Sequence, residues 1–190
     1  MAYTLAHDFS PIHGNRLNHA TVKFLAERIN IVLHERTDVT IAAAESCTGG
    51  SVAQAITAWS GSSNYFLGSI VSYVNDAKHE LLGVPNEILE TRGAVSAECA
   101  IAMAEGSRRV FHSDIAVSTT GIAGPTGATA RKPVGLVYIA LSDKRATIVQ
   151  EHHFAGDRAA VIIAATATAL ELILEASEFH ISGNTSWRTI

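Results

Sequence analysis

Residues 39–50 constrain this chain more than any other stretch. Val39-Thr-Ile-Ala-Ala-Ala44 is a short apolar run that stops at Glu45-Ser-Cys-Thr-Gly-Gly50, and helical spacing resumes from Ser51 to Trp59. A short apolar run bounded by turn residues predicts a strand buried on both faces. A strand that turns sharply into a helix is the building unit of layered α/β folds.

The flanking sequence repeats that logic. Leu17, Thr21, Val22, Leu25, Ile29, Val32 and Leu33 recur at helical spacing and predict an amphipathic helix ending near Arg36. Phe66 to Val74, rich in aromatic and β-branched residues, predicts a second strand. Asn75 is placed to cap a short helix over Asp76 to Leu82, with Gly83 as its stop. Pro85 to Glu90 adds a further helical piece, and Ser96 caps a longer helix reaching Phe111, with Glu98 favouring its dipole. Asp114 to Thr119, Val134 to Leu141 and Thr147 to Phe154 predict three more strands, the last two a hairpin around Ser142-Asp143-Lys144-Arg145. Asp157 caps a final helix to about Ala176, followed by a polar tail. The order α β α β α α β β β α predicts an α/β layered fold on a mixed sheet, in one domain over 15–177 with flexible ends at 1–14 and 178–190.

Composition removes several function classes. Of 190 residues 47 % are apolar, the net charge is −4 and no Lys/Arg block occurs, so the basic stripe of a nucleic-acid binder is missing. Two cysteines, Cys47 and Cys99, lack the number for a disulfide framework and the spacing for zinc. The nine histidines form no metal-binding motif, and the adjacent His152 and His153 would face opposite sides of a strand. Met1 to His13 shows neither an apolar stretch nor a basic leader, and no run of about 20 apolar residues occurs. The expectation is a cytoplasmic protein with no membrane span and no metal.

Ligands of open α/β sheets sit beyond the carboxyl ends of the strands. Three loops qualify. In Glu45-Ser46-Cys47-Thr48-Gly49-Gly50 the serine is held beside helical N–H groups that suit an oxyanion or a phosphate, and Gly49 and Gly50 permit close approach. A serine N-cap with turn-tightening glycines explains the same residues equally well. In Tyr73-Val-Asn75-Asp-Ala-Lys78 a lysine at the third helical position opposes the macrodipole, which lowers its pKa; if desolvated it can serve as a general base, with Tyr73 relaying a proton. A surface lysine and a core tyrosine fit this segment too. Thr119-Thr120-Gly121-Ile-Ala-Gly124-Pro125-Thr-Gly127 can wrap a small polar ligand, although it is neither a P-loop nor a Rossmann fingerprint. Gly156-Asp157-Arg158 adds an arginine at a helix start, where phosphate is its natural partner and an exposed arginine beside Asp157 the plainer one. No G-x-S-x-G elbow is present. Cys47 is a rival nucleophile, because a thiolate at a helix N-terminus is activated; a buried structural thiol is the other reading.

Taken together, Ala44-Glu-Ser-Cys-Thr-Gly-Gly50, Tyr73-x-Asn75-x-x-Lys78, Gly93-Ala-Val-Ser96, Thr120-Gly-Ile-Ala-Gly-Pro125, Lys132-Pro-Val-Gly135 and Phe154-x-Gly-Asp-Arg158 resemble, in order, the motifs of the CinA C-terminal domain family. The resemblance covers roughly Leu17 to Ala176. It implies a three-layer α/β/α sandwich with a mixed, mostly parallel sheet. It implies an amidohydrolase that converts nicotinamide mononucleotide to nicotinic acid mononucleotide and ammonia, without metal or organic cofactor. Carried over to this chain, Ser46 is the nucleophile, Lys78 the base and Tyr73 its helper. On the substrate side, the backbone N–H groups of Thr48, Gly49 and Gly50 are expected to hold the oxyanion, and Thr120, Gly121, Gly124 and Arg158 the nucleotide; Thr120 and Arg158 are the two linked to the ligand in the family. A homo-oligomer and a short form lacking the family's extra N-terminal domain are also implied. Three positions depart: Ile162 stands where a further arginine is usual, Ala128 replaces a glycine, and Arg131 lies where an acid is usual. The rival from another class is a non-catalytic nucleotide-binding relative.

Overall fold

The computed structural model describes residues 17–34 and 38–182. The five strands are β1 (Ile41–Glu45), β2 (Phe66–Val71), β3 (Ile115–Gly121), β4 (Leu136–Ser142) and β5 (Thr147–His153), in the spatial order β2-β1-β3-β4-β5. β1 pairs in parallel with β2 and β3, whereas β4 is antiparallel to both β3 and β5. Only β4 therefore runs against the other strands, and the sheet is mixed but mostly parallel.

Helices cover both faces. The helices α1 (His19–Leu33), α2 (Ser51–Thr57) and α6 (Arg158–Ser182) lie on one side; α3 (Asn75–Leu82), α4 (Asn86–Thr91) and α5 (Ala97–Phe111) lie on the other. Strand alternation sorts the residues by size. Ile41, Ile115, Val117, Val137 and Ile139 join Leu25, Ile29, Leu170 and Ile173 in the larger core. The opposite face offers Ala44 and Ala140 to Cys99, Met103, Ala100 and Ala104 of α5. Small residues on both partners let α5 approach closely, and the Ser118 hydroxyl donates to the Ala100 carbonyl at 2.6 Å.

Several boundaries differ from expectation. α1 ends at Leu33; the expected end at Arg36 lies outside the described residues, as do the leader before Leu17 and the chain after Ser182. Asn75 is the first residue of α3 rather than its cap: Val74 holds the cap position without a side-chain bond. α6 continues past Ala176 to Ser182, because Ser177 is a buried helical residue whose hydroxyl donates to the Ile173 carbonyl at 2.7 Å. Its stretch Arg158–His180 is long and apolar enough to cross a membrane, contrary to the expectation that no such run occurs. Two-thirds of that stretch is buried within the protein, which marks a core helix.

Candidate active site

The carboxyl ends of β1, β2 and β3 open at one edge of the sheet, and all three predicted loops leave from there. Ser46 directly follows β1. Its N–H donates to the Thr119 carbonyl at 2.9 Å, which extends the β1–β3 pairing by one residue and fixes Ser46 to the sheet. Gly50, at φ 101, then turns the chain into α2, a conformation that favours glycine.

Lys78 projects from α3 to this serine. Its Nζ lies 3.1 Å from Ser46 Oγ and donates to the Ser72 carbonyl at 2.6 Å. Ser46 is 9 % exposed and Lys78 only 1 %. Among the described residues no carboxylate pairs with this amine. Burial holds it below the ordinary lysine range, while the nearby thiols of Cys99 and Cys47 oppose that shift to a lesser degree. The cause differs from the one expected. With Val74 at the cap, Lys78 sits one position deeper in the helix and its N–H reaches the Val74 carbonyl, so desolvation rather than the helix terminus depresses its pKa.

Glu45, which the sequence reading did not single out, organises the turn. Its carboxylate is fully buried. One oxygen accepts from the Thr48 hydroxyl at 2.8 Å and from the Gly50 and Val52 N–H groups at 2.9 and 3.1 Å. The other accepts from the Ala53 N–H at 3.0 Å and the Ser69 hydroxyl at 3.1 Å. Thr48 Oγ1 also meets Thr119 Oγ1 at 2.7 Å. The signal was present: an acid ending an otherwise apolar strand, just ahead of a helix start, is placed to satisfy orphan N–H groups.

This network moves the available oxyanion donors. They are not the Thr48, Gly49 and Gly50 set expected from the sequence. The Gly49 N–H instead donates to the Ser46 carbonyl at 3.1 Å, and that of Gly50 is taken by Glu45. The Cys47 and Thr48 N–H groups have no backbone acceptor among the described residues. The Cys47 thiol is pushed up to about 12 by burial, which leaves it protonated and opposes its use as a nucleophile.

The remaining predicted residues divide into two groups. Thr120 is buried and its hydroxyl donates to the Ala94 carbonyl at 2.6 Å. Gly121 sits where a Cβ would come within 2.6 Å of the Leu136 carbonyl oxygen, so its place is set by packing between β3 and β4. Gly124, Tyr73 and Arg158 converge elsewhere. Arg158 Nη1 donates to the Gly124 carbonyl at 2.9 Å and Nη2 to the Tyr73 hydroxyl at 2.7 Å. Tyr73 is 57 % exposed, not a core residue, and its hydroxyl is engaged by Arg158 rather than Lys78. Beside Arg158 lies an open cleft of about 680 Å³ walled by Ala123, Pro125, Val134, Asp157 and Ile162. Lys132 braces the neighbouring loop through the Arg92 and Val95 carbonyls, at 2.7 Å each. Among the described residues no cluster of three His, Cys, Asp or Glu side chains gathers to hold a metal.

The sequence model of the family described as the CinA C-terminal domain matches residues 22–177. A CinA-like protein of Geobacter sulfurreducens is 50 % identical over 139 residues, 73 % of this chain and 34 % of the relative. A CinA-like protein of Syntrophomonas wolfei is 54 % identical over 133 residues, 70 % of this chain and 32 % of the relative. The chain thus spans about a third of the length of these curated relatives. Among solved structures, the competence/damage inducible protein CihA of Agrobacterium tumefaciens superposes with a TM-score of 0.79 at 39 % identity, covering 83 % of this chain and 96 % of that one. A CinA superfamily protein of Escherichia coli gives 0.79 at 28 % identity, covering 90 % and 99 %.

Proposed function

Because the chain belongs to the CinA C-terminal domain family, we propose that it is a cytoplasmic amidohydrolase that deamidates nicotinamide mononucleotide to nicotinic acid mononucleotide and ammonia. One observation carries the reading: a buried amine with no carboxylate partner among the described residues, 3.1 Å from a serine hydroxyl at the end of a parallel strand. A neutral lysine has two N–H groups and one lone pair. An N–H goes to the Ser72 carbonyl, and the lone pair is left for the Ser46 proton.

Ser46 Oγ attacks the carboxamide carbon as its proton passes to Lys78. The oxyanion forms beside the Cys47 and Thr48 N–H groups. The C–N bond then breaks, Lys78 returns the proton to the departing ammonia, and water hydrolyses the acyl ester with the same lysine as base. Arg158, aided by Tyr73 and the Gly124 segment, holds the rest of the nucleotide.

The test is ammonia release from nicotinamide mononucleotide by purified protein, with a metal chelator present. Ser46→Ala and Lys78→Ala are each expected to abolish release while the circular dichroism spectrum is kept. Full activity in either variant ends this mechanism. A second reading, nucleotide binding without turnover, draws on Ile162, which gives the Arg158 cleft an apolar wall. Calorimetric binding without ammonia production would select it.

A further inference from the structure

We infer that Glu45 is the positioning residue of this site: its buried carboxylate clamps the turn that carries Ser46 to β2 and to α2 at once, and so holds Ser46 Oγ on Lys78. The inference rests on the serine–lysine reading above.

The geometry is specific. Ser46 has sheet pairing on one side only, through its N–H to Thr119. Beyond it the chain leaves the sheet for a turn of small residues, which would let the serine backbone rotate. Within the turn the Gly49 N–H to Ser46 carbonyl bond limits that rotation, the Ser72 N–H to Glu45 carbonyl bond at 2.8 Å ties its start to the end of β2, and the Glu45 side chain fixes the rest of it against the neighbouring elements. Its carboxylate gathers donors from three separate elements: Thr48 and Gly50 in the turn, Val52 and Ala53 in the first turn of α2, and Ser69 on β2. β2 leads directly to Ser72, whose carbonyl holds Lys78 Nζ. One side chain therefore references the nucleophile's turn to the strand that carries the base's anchor.

The same contacts decide what the turn can offer a substrate. A carboxylate already sits at the positive end of α2 and satisfies three of its N–H groups. That helix start is closed to a phosphate or an oxyanion, and developing charge is left with the Cys47 and Thr48 N–H groups nearer the nucleophile. Glu45 touches neither Ser46 Oγ nor Lys78 Nζ, so its effect on rate passes entirely through placement.

A gap of a few tenths of an ångström between Oγ and Nζ weakens proton transfer, and a misplacement of about 1 Å in a reacting pair costs on the order of a hundredfold. The experiment uses the full chain and two readouts: ammonia release, and the second-order rate at which a fluorophosphonate phosphonylates Ser46 Oγ, with fluoride leaving, the product being located by mass spectrometry. Glu45→Gln keeps the shape but presents an amide NH2 to groups that are themselves donors. It is expected to lower both kcat and the labelling rate by about a hundredfold, with KM moving less than about threefold. Thr48→Val and Ser69→Ala, which each remove one donor, are expected to lower labelling by about threefold to tenfold, and Thr48→Ser to restore it. If Glu45→Gln does not fold, these milder variants carry the test. Variants that melt lower but label at the wild-type rate while folded would make Glu45 a stabilising cap alone and overturn the inference. A wild-type protein whose Ser46 neither labels nor supports turnover would instead overturn the serine–lysine reading itself.

Discussion

Arg158 Nη2 and the Tyr73 hydroxyl lie 2.7 Å apart, joining the start of α6 to the segment between β2 and α3 across 85 positions of sequence. The tyrosine oxygen is the acceptor in this bond. Arg158 is held on its other side by the Gly124 carbonyl, so the guanidinium is fixed by two contacts and keeps donors to spare. Removing Tyr73 should loosen the arginine more than it disturbs the base.

Tyr73→Phe is accordingly expected to raise KM for the nucleotide by about threefold to tenfold, with kcat changed little, since an interaction made equally in ground and transition states affects KM alone. Arg158→Met should raise KM further. The double variant should fall short of the sum, because the two residues share one interaction. Steady-state kinetics on the four proteins measure this. A Tyr73→Phe variant whose kcat falls as far as that of Lys78→Ala would place the phenol in the proton path.

Much of this arrangement was legible in the sequence, and the parts that were not share a physical cause. The meeting of Ser46 and Lys78 is legible because each lies beyond a strand end whose composition marks it locally, and position relative to a strand end decides what a loop can reach. Their 3.1 Å contact depends on β1 and β2 being neighbours, which no local pattern in either segment states. Glu45 was missed because a carboxylate in an apolar strand looks like a solvent-facing end until the helix N–H groups packed behind it are known. Proximity in sequence pairs Tyr73 with Lys78, whereas its partner comes from a helix 85 positions away. The end of α6 was set too early for a related reason: Ser177 and Glu178 look polar on paper, but a helical serine can return its proton to its own backbone and stay buried.

The pH response follows from the buried amine. Folding disfavours the protonated form of Lys78, so the unfolded chain binds more protons, and stability rises with pH between the depressed native pKa and the ordinary value of 10.5. The penalty is complete below the native pKa and gone above the unfolded one. Catalysis follows the same proton: kcat/KM should rise on a single limb with its midpoint below 10.5 as the neutral base appears. Lys78→Arg, permanently charged, should be inactive at every pH. Lys78→Met should be inactive yet more stable at neutral pH by about 1 kcal/mol, with the pH dependence of its melting flattened. A Lys78→Met protein less stable than wild type at neutral pH would mean that the native amine is charged and paired.

Cys47 stands next to Ser46, and its chemistry is separable by burial. With its thiol pushed up to about 12 and that of Cys99 to about 11, neither is a thiolate near neutral pH. Iodoacetamide at about pH 8 should leave both unmodified until denaturant is added, and Cys47→Ala should keep ammonia release within about threefold of wild type. Rapid alkylation of the native protein, together with an inactive Cys47→Ala, would return the cysteine to candidacy as nucleophile.

The position of Lys78 depends in turn on a contact made far from the chemistry. Gly106 of α5 faces the end of α3 so closely that a Cβ there would fall on the Leu82 carbonyl oxygen. That oxygen also accepts from Arg109 Nη2 at 2.8 Å, so it is held from two sides and cannot swing clear. α3 is only eight residues long, and Lys78 is four positions before Leu82. A backbone clash at one end of so short a rod displaces the whole of it. Gly106→Ala improves the helix propensity of α5 yet is expected to destabilise the protein by about 1–3 kcal/mol, as overpacking does, lowering Tm by about 2–4 °C for each kcal/mol. It should also slow Ser46 labelling in the folded protein, because Lys78 moves with its helix. Arg109→Met, which removes the hydrogen bond and leaves the backbone contact intact, should melt lower but label Ser46 normally. Equal labelling by both variants would show that α3 absorbs the displacement before it reaches the lysine.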